Sequence, residues 1–252
     1  MEHKSNTGLL TRNRVKTNAE DSPQPGDYLE AVKAFARLTY ESVYVIDYTD
    51  MSFEYVSDNP LFLCGYTSQE VMQMGYDFYF RHVPAEDLEL LNVLNDAGFD
   101  FFEQVPDEEK KLYSITYDFH LQNEQGKTVL INHKLTPLFL DKAGKMWKAM
   151  CIVSLSHRQE AGNVVIHKQG SGDYWQLDTQ RKLWQRFPKP KLSEREVEVL
   201  RLYAQGLTIG QIAEKIFVAP DTVKYYRRRI FEALEVNNII AALSYAVSNK
   251  II

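Results

Sequence analysis

Residues 191–236 read KLSEREVEVLRLYAQGLTIGQIAEKIFVAPDTVKYYRRRIFEALEV, and the spacing of start and stop signals in this stretch decides its fold. Ser193 followed three residues later by Glu196 is a capping box, in which hydroxyl and carboxylate satisfy N–H groups that a helix start leaves bare. Gly206 supplies a stop after Ala204 and Gln205. Thr208 and Gln211 form a second box, opening a short helix through Ile212, Ala213 and Ile216. Pro220 stands where a third helix begins, a position whose N–H has no intrahelical acceptor to lose. Only Val218 and Ala219 separate the second helix from the third, which is the tight connection of a helix-turn-helix.

The third helix carries Lys224, Arg227, Arg228 and Arg229 in a chain of formal net charge −5. At about 100° per residue, Val223, Tyr226, Ile230, Ala233 and Leu234 fall on one side and face a core. Lys224, Tyr225 and Arg228 fall on the opposite side with Asp221 beside them, and Arg227 and Arg229 lie on the flanks. A run of cations by itself is most often a solvated helix face. In this setting the outward strip suits the major groove, where Lys or Arg donates to guanine O6 and N7 while flanking guanidiniums meet phosphate. Asp221 adds a constraint, because an acid at the tip of such a helix repels phosphate. It either caps the helix or accepts from a cytosine amine.

The stretch resembles the LuxR-type (GerE-like) helix-turn-helix. Leu192, Ser193, Arg195, Glu196, Glu198, Val199 and Leu200 match the first part of that pattern. Gly206, Thr208, Ile212 and Ala213 match the second, and Thr222, Val223, Lys224, Ile230, Leu234 and Val236 the third. The match covers the last quarter of the chain. It implies a four-helix DNA-binding domain over 191–252, with Lys224, Tyr225 and Arg228 facing bases. Thr208, at a helix N-terminus, is read as a phosphate contact together with Thr222, Arg227 and Arg229. The last helix, NNIIAALSYAVSNK, carries Ile239, Ile240, Leu243, Ala246 and Val247 along one side. Part of this stripe covers the core, and the resemblance implies that Ile239, Ile240, Leu243 and Val247 serve dimerisation. The chain departs from the pattern at Ala219, Tyr226, Ala233 and Glu235, where the family has Ser, His, Lys and Gly. Loss of the Ser cap costs about 1 kcal/mol of local helix stability.

The rest of the chain differs in character. Residues 27–156 carry 21 acids against ten cations, whereas 157–190 and 191–252 are mildly basic, an asymmetry that points to modules with different partners. Residues 1–26 are polar, lack periodicity and end in SPQPG, which reads as a disordered tail closed by a turn. Asp27 is a candidate cap for a helix with Leu29, Val32, Phe35, Ala36 and Leu38 on one face. VYVIDY and SFEYVS read as a hairpin, then Thr67 with Glu70 and Pro84 with Leu88, Leu91 and Leu94 mark short helices. LYSITYDFHLQ alternates with a period of two, and the turns NEQGK and DKAGK separate it from TVLINHKLTPLFL and MWKAMCIVSLS, giving a three-strand meander.

This order of elements resembles the PAS fold across 27–156. Supporting segments are Tyr55-Val56-Ser57-Asp58-Asn59, Gly65-Tyr66-Thr67-Ser68-Gln69-Glu70 and His82-Val83-Pro84-Ala85-Glu86-Asp87. The expected class is α+β, a PAS-like antiparallel five-stranded sheet with short helices followed by the helical domain. Residues 157–190 read as a hairpin around Gly170-Ser171-Gly172, a further short strand and a stiff basic linker PKPK, with Trp175 and Trp184 packed onto a neighbour.

Cys64 and Cys151 lie among apolar residues with no CxxC or Cys/His spacing, so buried free thiols are expected rather than a disulfide or zinc site. MGYDFYFRHV replaces the reactive-cysteine segment of light-sensing PAS domains, which sets flavin photochemistry aside. His82 is read as a structural cap in a turn, and His120 and His133 as surface or pocket-lining strand residues. No nucleophile–base constellation or phosphate-binding glycine loop is visible, so no catalytic activity and no cofactor is expected, although a PAS-like domain has room for a small-molecule ligand. With no apolar run of membrane length and no signal peptide, the expected location is the cytoplasm. The expected function is a DNA-binding transcriptional regulator, a homodimer on double-stranded promoter DNA, whose sensor domain controls the helix-turn-helix. The alternative is a protein-interaction module that contacts RNA polymerase or another regulator without reading sequence.

Overall fold

Strands rich in β-branched and aromatic residues pair in an antiparallel sheet over most of the chain. The structure, a computed structural model, describes residues 28–249 and 251–252. The tail expected over 1–26 and the cap expected at Asp27 lie outside the described residues. The chain divides into two units, Met1–Phe187 and Pro188–Ile252.

In the first unit α1 (Tyr28–Leu38) precedes β1 (Ser42–Asp47) and β2 (Ser52–Val56), a hairpin whose turn places Met51 at φ 64°. The helices α2 (Pro60–Leu63), α3 (Ser68–Met74), α4 (Asp77–His82) and α5 (Ala85–Glu103) follow. The Thr67 and Glu70 capping box is formed at the start of α3. The meander is β3 (Tyr113–Gln122), β4 (Thr128–Leu140) and β5 (Met146–Leu155). This is the order of elements expected of a PAS-like sheet.

The sheet is larger than the five strands expected. β6 (Gly162–Lys168) pairs antiparallel with β3, placing Thr116 opposite Val165, and β7 (Asp173–Asp178) and β8 (Leu183–Pro188) continue outward. The strand order is β2-β1-β5-β4-β3-β6-β7-β8. Without β6 the row of N–H and C=O groups on β3 would form an open edge, and the hairpin of 157–190 closes it. The two tryptophans pack inside this same unit. Trp184 donates from Nε1 to the Ala97 carbonyl at 3.0 Å, and Phe101 meets Trp175 and Trp184 edge-on at 5.5 and 5.4 Å between ring centroids.

The helices α2 to α5 cover one face of the sheet, where Tyr44, Phe62, Phe78 and Phe119 are fully buried. The other face of β1 offers Val43 and Val45 to α1. There α1 lays down Tyr28, Leu29, Val32 and Ala36, a stripe with helical spacing, and leaves Phe35 and the terminal Leu38 40% and 84% exposed. The apolar face expected to reach Leu38 therefore stops short of it, because Leu38 is the helix's last residue and has turned away from the sheet.

One histidine reading needs correction, and for another burial excludes the surface alternative. His82 ends α4 rather than capping a turn, and its buried ring bonds through Nδ1 to the Gln122 carbonyl at 2.9 Å. His133 is fully buried on the inward face of β4, with Nε2 2.5 Å from the Tyr44 hydroxyl, which also bonds the Tyr79 hydroxyl. Alternation along β4 puts His133 on the face of the buried Ile131, so its interior place follows from the period of two. His120 is partly exposed and bonds through Nδ1 to Asp87 at 2.8 Å. Cys64 and Cys151 are buried free thiols, and burial pushes Cys64 up to about 12.

The second unit comprises α6 (Glu194–Ala204), α7 (Ile209–Lys215), α8 (Pro220–Leu234) and α9 (Ile239–Ser248). Both capping boxes, Ser193 with Glu196 and Thr208 with Gln211, are formed. Val199, Leu200, Ile212, Val223, Ile230, Leu234, Ala242 and Ala246 make its core. Ala242 and Ala246 on α9 let that helix approach closely.

Candidate nucleic-acid interface

The geometry of α8 begins with the turn before it. The connection from α7 to α8 spans residues 216–219 rather than the two residues expected, because α7 stops at Lys215: Ile216 is its C-cap, Phe217 takes a left-handed φ of 58°, and the Val218 N–H returns to the Ala213 carbonyl at 2.9 Å. Thr222 and Val223 then donate to the Ala219 carbonyl, at 2.9 and 3.4 Å. No side chain caps α8, as the alanine at 219 requires. The turn is fixed by backbone bonds, and the direction of α8 is fixed by its buried face of Val223, Ile230 and Leu234, with Tyr226 and Phe231 packed beside them.

Opposite that face, Lys224, Tyr225 and Arg228 lie together in solvent. Lys224 Nζ is 2.9 Å from Asp221 Oδ1, and Arg228 Nε is 3.8 Å from Glu232 Oε1. The Arg228 guanidinium stands 5.7 Å from the centroid of the Tyr225 ring. Exposed pairs of this kind contribute about 0–1 kcal/mol, so a phosphate or a base edge can take either cation from its acid. Arg229 is separated from this strip and is held between acids, 3.7 Å from Glu196 on α6 and 3.7 Å from Glu232. Arg227 is half-buried beside Tyr203, whose hydroxyl is pushed up by burial and drawn back by the guanidinium. Thr222 is half-buried, and the exposed Thr208 hydroxyl donates to Gln211 Oε1 at 2.9 Å within its capping box.

Of the acids facing these cations, Asp221 was read beside them, Glu196 only as a capping-box partner, and Glu232 not at all. Arg228 and Glu232 are four apart, a spacing that pairs charges on a helix and was readable. The link from Arg229 to Glu196 joins distant positions, which only the folded packing brings together. On α9, Ile240 and Val247 are 78% and 64% exposed, while Ile239 and Leu243 pack partly against the core.

In the sheet unit a largely apolar cavity of about 60 Å³ lies between α5 and strands β3 to β6, lined by Leu94, Gly98, Phe102, Tyr113, Ile115 and Ile166 among others. Among the described residues no group of three or more His, Cys, Asp or Glu is placed to hold a metal ion. No single helix among them is long and apolar enough to cross a membrane.

Residues 190–246 match the family model for GerE, the bacterial regulatory proteins of the luxR family. The probable transcriptional regulatory protein NarL of Mycobacterium tuberculosis (strain ATCC 25618 / H37Rv) is 41% identical over 63 residues, 25% of this chain and 29% of that protein. The chain therefore spans less than a third of the length of that curated relative. A structure of the Vibrio cholerae VqmA dimer without its target DNA aligns over 87% of this chain and 86% of its own, with 18% identity and a TM-score of 0.31. A PAS domain from Colwellia psychrerythraea aligns over 53% of this chain and all of its own, with 14% identity and a TM-score of 0.39. The architecture of the first unit accordingly rests on its own strands and their order. Capping boxes, a short turn over residues 216–219 and matched residues in register make residues 190–246 a luxR-family (GerE) helix-turn-helix domain.

Proposed function

We propose that the chain is a DNA-binding transcriptional regulator in which α8 enters the major groove and the sheet unit governs how paired copies of α8 are presented. The observation that carries this reading is the exposed strip of Lys224, Tyr225 and Arg228 on a helix whose opposite face is locked by fully buried Val223 and Ile230. Lys224 and Arg228 would donate to base edges, and Arg227, Arg229, Thr208 and Thr222 would meet the phosphate walls. The name of the NarL relative as a transcriptional regulatory protein supports the same reading. The exposed Ile240 and Val247, two turns apart on α9, suit a homodimer contact, and two copies would then address paired half-sites. The apolar cavity beside α5 suits a small uncharged ligand that biases this arrangement.

The test is binding of the full chain to genomic promoter fragments by fluorescence anisotropy at rising salt. Contacts to several phosphates weaken binding by orders of magnitude between about 50 and 200 mM salt. Binding that is absent at low salt, or indifferent to salt, removes the DNA-reading role and leaves a protein-interaction module.

A further inference from the structure

We infer that Asp221 is a specificity-determining residue of α8, paired with Lys224 so that the two side chains together read a single G·C base pair. This rests on the DNA-reading role proposed above for α8.

The alternative use of Asp221 as a cap is closed by the geometry. The N-cap position is Ala219, and α8 has no side-chain cap hydrogen bond. The Asp221 side chain is 88% exposed, and its carboxylate accepts from Lys224 Nζ at 2.9 Å. An acceptor and a donor are thus presented side by side at the solvent-facing tip of the helix, on the strip that includes Tyr225 and Arg228.

The major-groove edge of a G·C pair carries the complementary arrangement. Guanine O6, an acceptor, lies beside cytosine N4–H, a donor, and the two are separated by an ordinary hydrogen-bond length of about 2.9 Å. Lys224 over guanine O6 and N7 places the Asp221 carboxylate next to the cytosine amine. The reversed pair sets the ammonium against the amine and the carboxylate against O6, so both contacts become repulsive. An A·T pair also has an adjacent donor and acceptor, but Lys224 would then face thymine O4 beside the 5-methyl group, with one acceptor in reach where guanine offers two. Away from an exocyclic amine, the carboxylate meets only acceptors and phosphate. Asp221 therefore penalises wrong sequences as well as rewarding the right one.

The experiment selects duplexes from a randomised library with the full-length wild type, Asp221→Ala, Asp221→Asn and Lys224→Ala, with melting temperatures measured alongside. The wild type is expected to select a motif in which one G·C pair is fixed. Asp221→Ala and Lys224→Ala each relax that same position by about tenfold and leave the other positions as they are. Asp221→Asn moves the preference toward adenine, whose N6 and N7 suit an amide. Three results overturn the inference: an unchanged motif bound more tightly by Asp221→Ala, as a mere helix-dipole acid would give; relaxation at different positions in the two alanine variants; or selection of A·T at the shared position. A wild-type chain that enriches no motif at any salt is a different failure, because it removes the DNA-reading role itself.

Discussion

In α8 the polar side chains point outward, with Lys224, Arg228, Asp221 and Glu232 in solvent over a core of aliphatic residues. In the sheet unit polar groups are turned inward, where the hydroxyls of Tyr44 and Tyr79 and the ring of His133 form a hydrogen-bonded line within a shell of phenylalanines. The first arrangement leaves charges free to exchange their partners for a ligand. The second holds its partners in place, because a buried polar group that loses its bond has no water to replace it. The helical unit is built to present a surface, and the sheet unit to hold an interior.

The contrast can be broken from either side. Removing the aliphatic support of α8 has the largest expected effect. Ile230→Ala costs about 2–5 kcal/mol, read as an early loss of helical circular dichroism. All three tryptophans, at 147, 175 and 184, precede Pro188, so tryptophan fluorescence reports the sheet unit and stays native through that first transition.

The interior of the sheet unit makes the complementary prediction. Burial holds the imidazole of His133 down to about 3, against an ordinary 6.5, so the unfolded chain takes up the proton first as pH falls. Stability of the sheet unit is then lost from about pH 6.5 downward, by about 1.4 kcal/mol per pH unit until the folded-state value is reached. Urea unfolding followed by tryptophan fluorescence between pH 7 and 4.5 measures this slope, and His133→Gln flattens it. A smaller effect belongs to the bond that ties β8 to α5. Trp184→Phe keeps an aromatic ring against Phe101 but removes the 3.0 Å bond to the Ala97 carbonyl, costing about 1 kcal/mol by the same urea titration. The smallest is a gain. Glu235 ends α8 at φ 54°, so Glu235→Gly relieves a left-handed backbone and raises the melting temperature of the helical unit by an amount worth about 0.5–1 kcal/mol.

Legibility in the sequence followed the same division. Capping boxes, Pro220 and the buried stripe of Val223, Ile230 and Leu234 are local signals, and they located α6, α7 and α8 to within a residue or two. The outward strip of α8 followed from helical period alone. What period could not supply was the company those cations keep, since Glu196 lies on another helix from Arg229. In the sheet unit the alternation of β3 was visible, but the pairing of β3 with β6 was not, because strand order depends on contacts between residues far apart in sequence. His133 was read as a surface or pocket-lining residue, and its burial excludes the first of these: residue type suggested the surface, while its spacing from Ile131 placed it inward.

If the exposed strip of α8 reads DNA, its cations set the affinity, which is measured for Lys224→Ala and Arg228→Ala on the promoter fragment that the wild type binds best. Each substitution removes an exposed side chain, so the melting temperature is expected to stay unchanged while affinity falls about tenfold or more. Two folded variants that bind the fragment as the wild type does would contradict it.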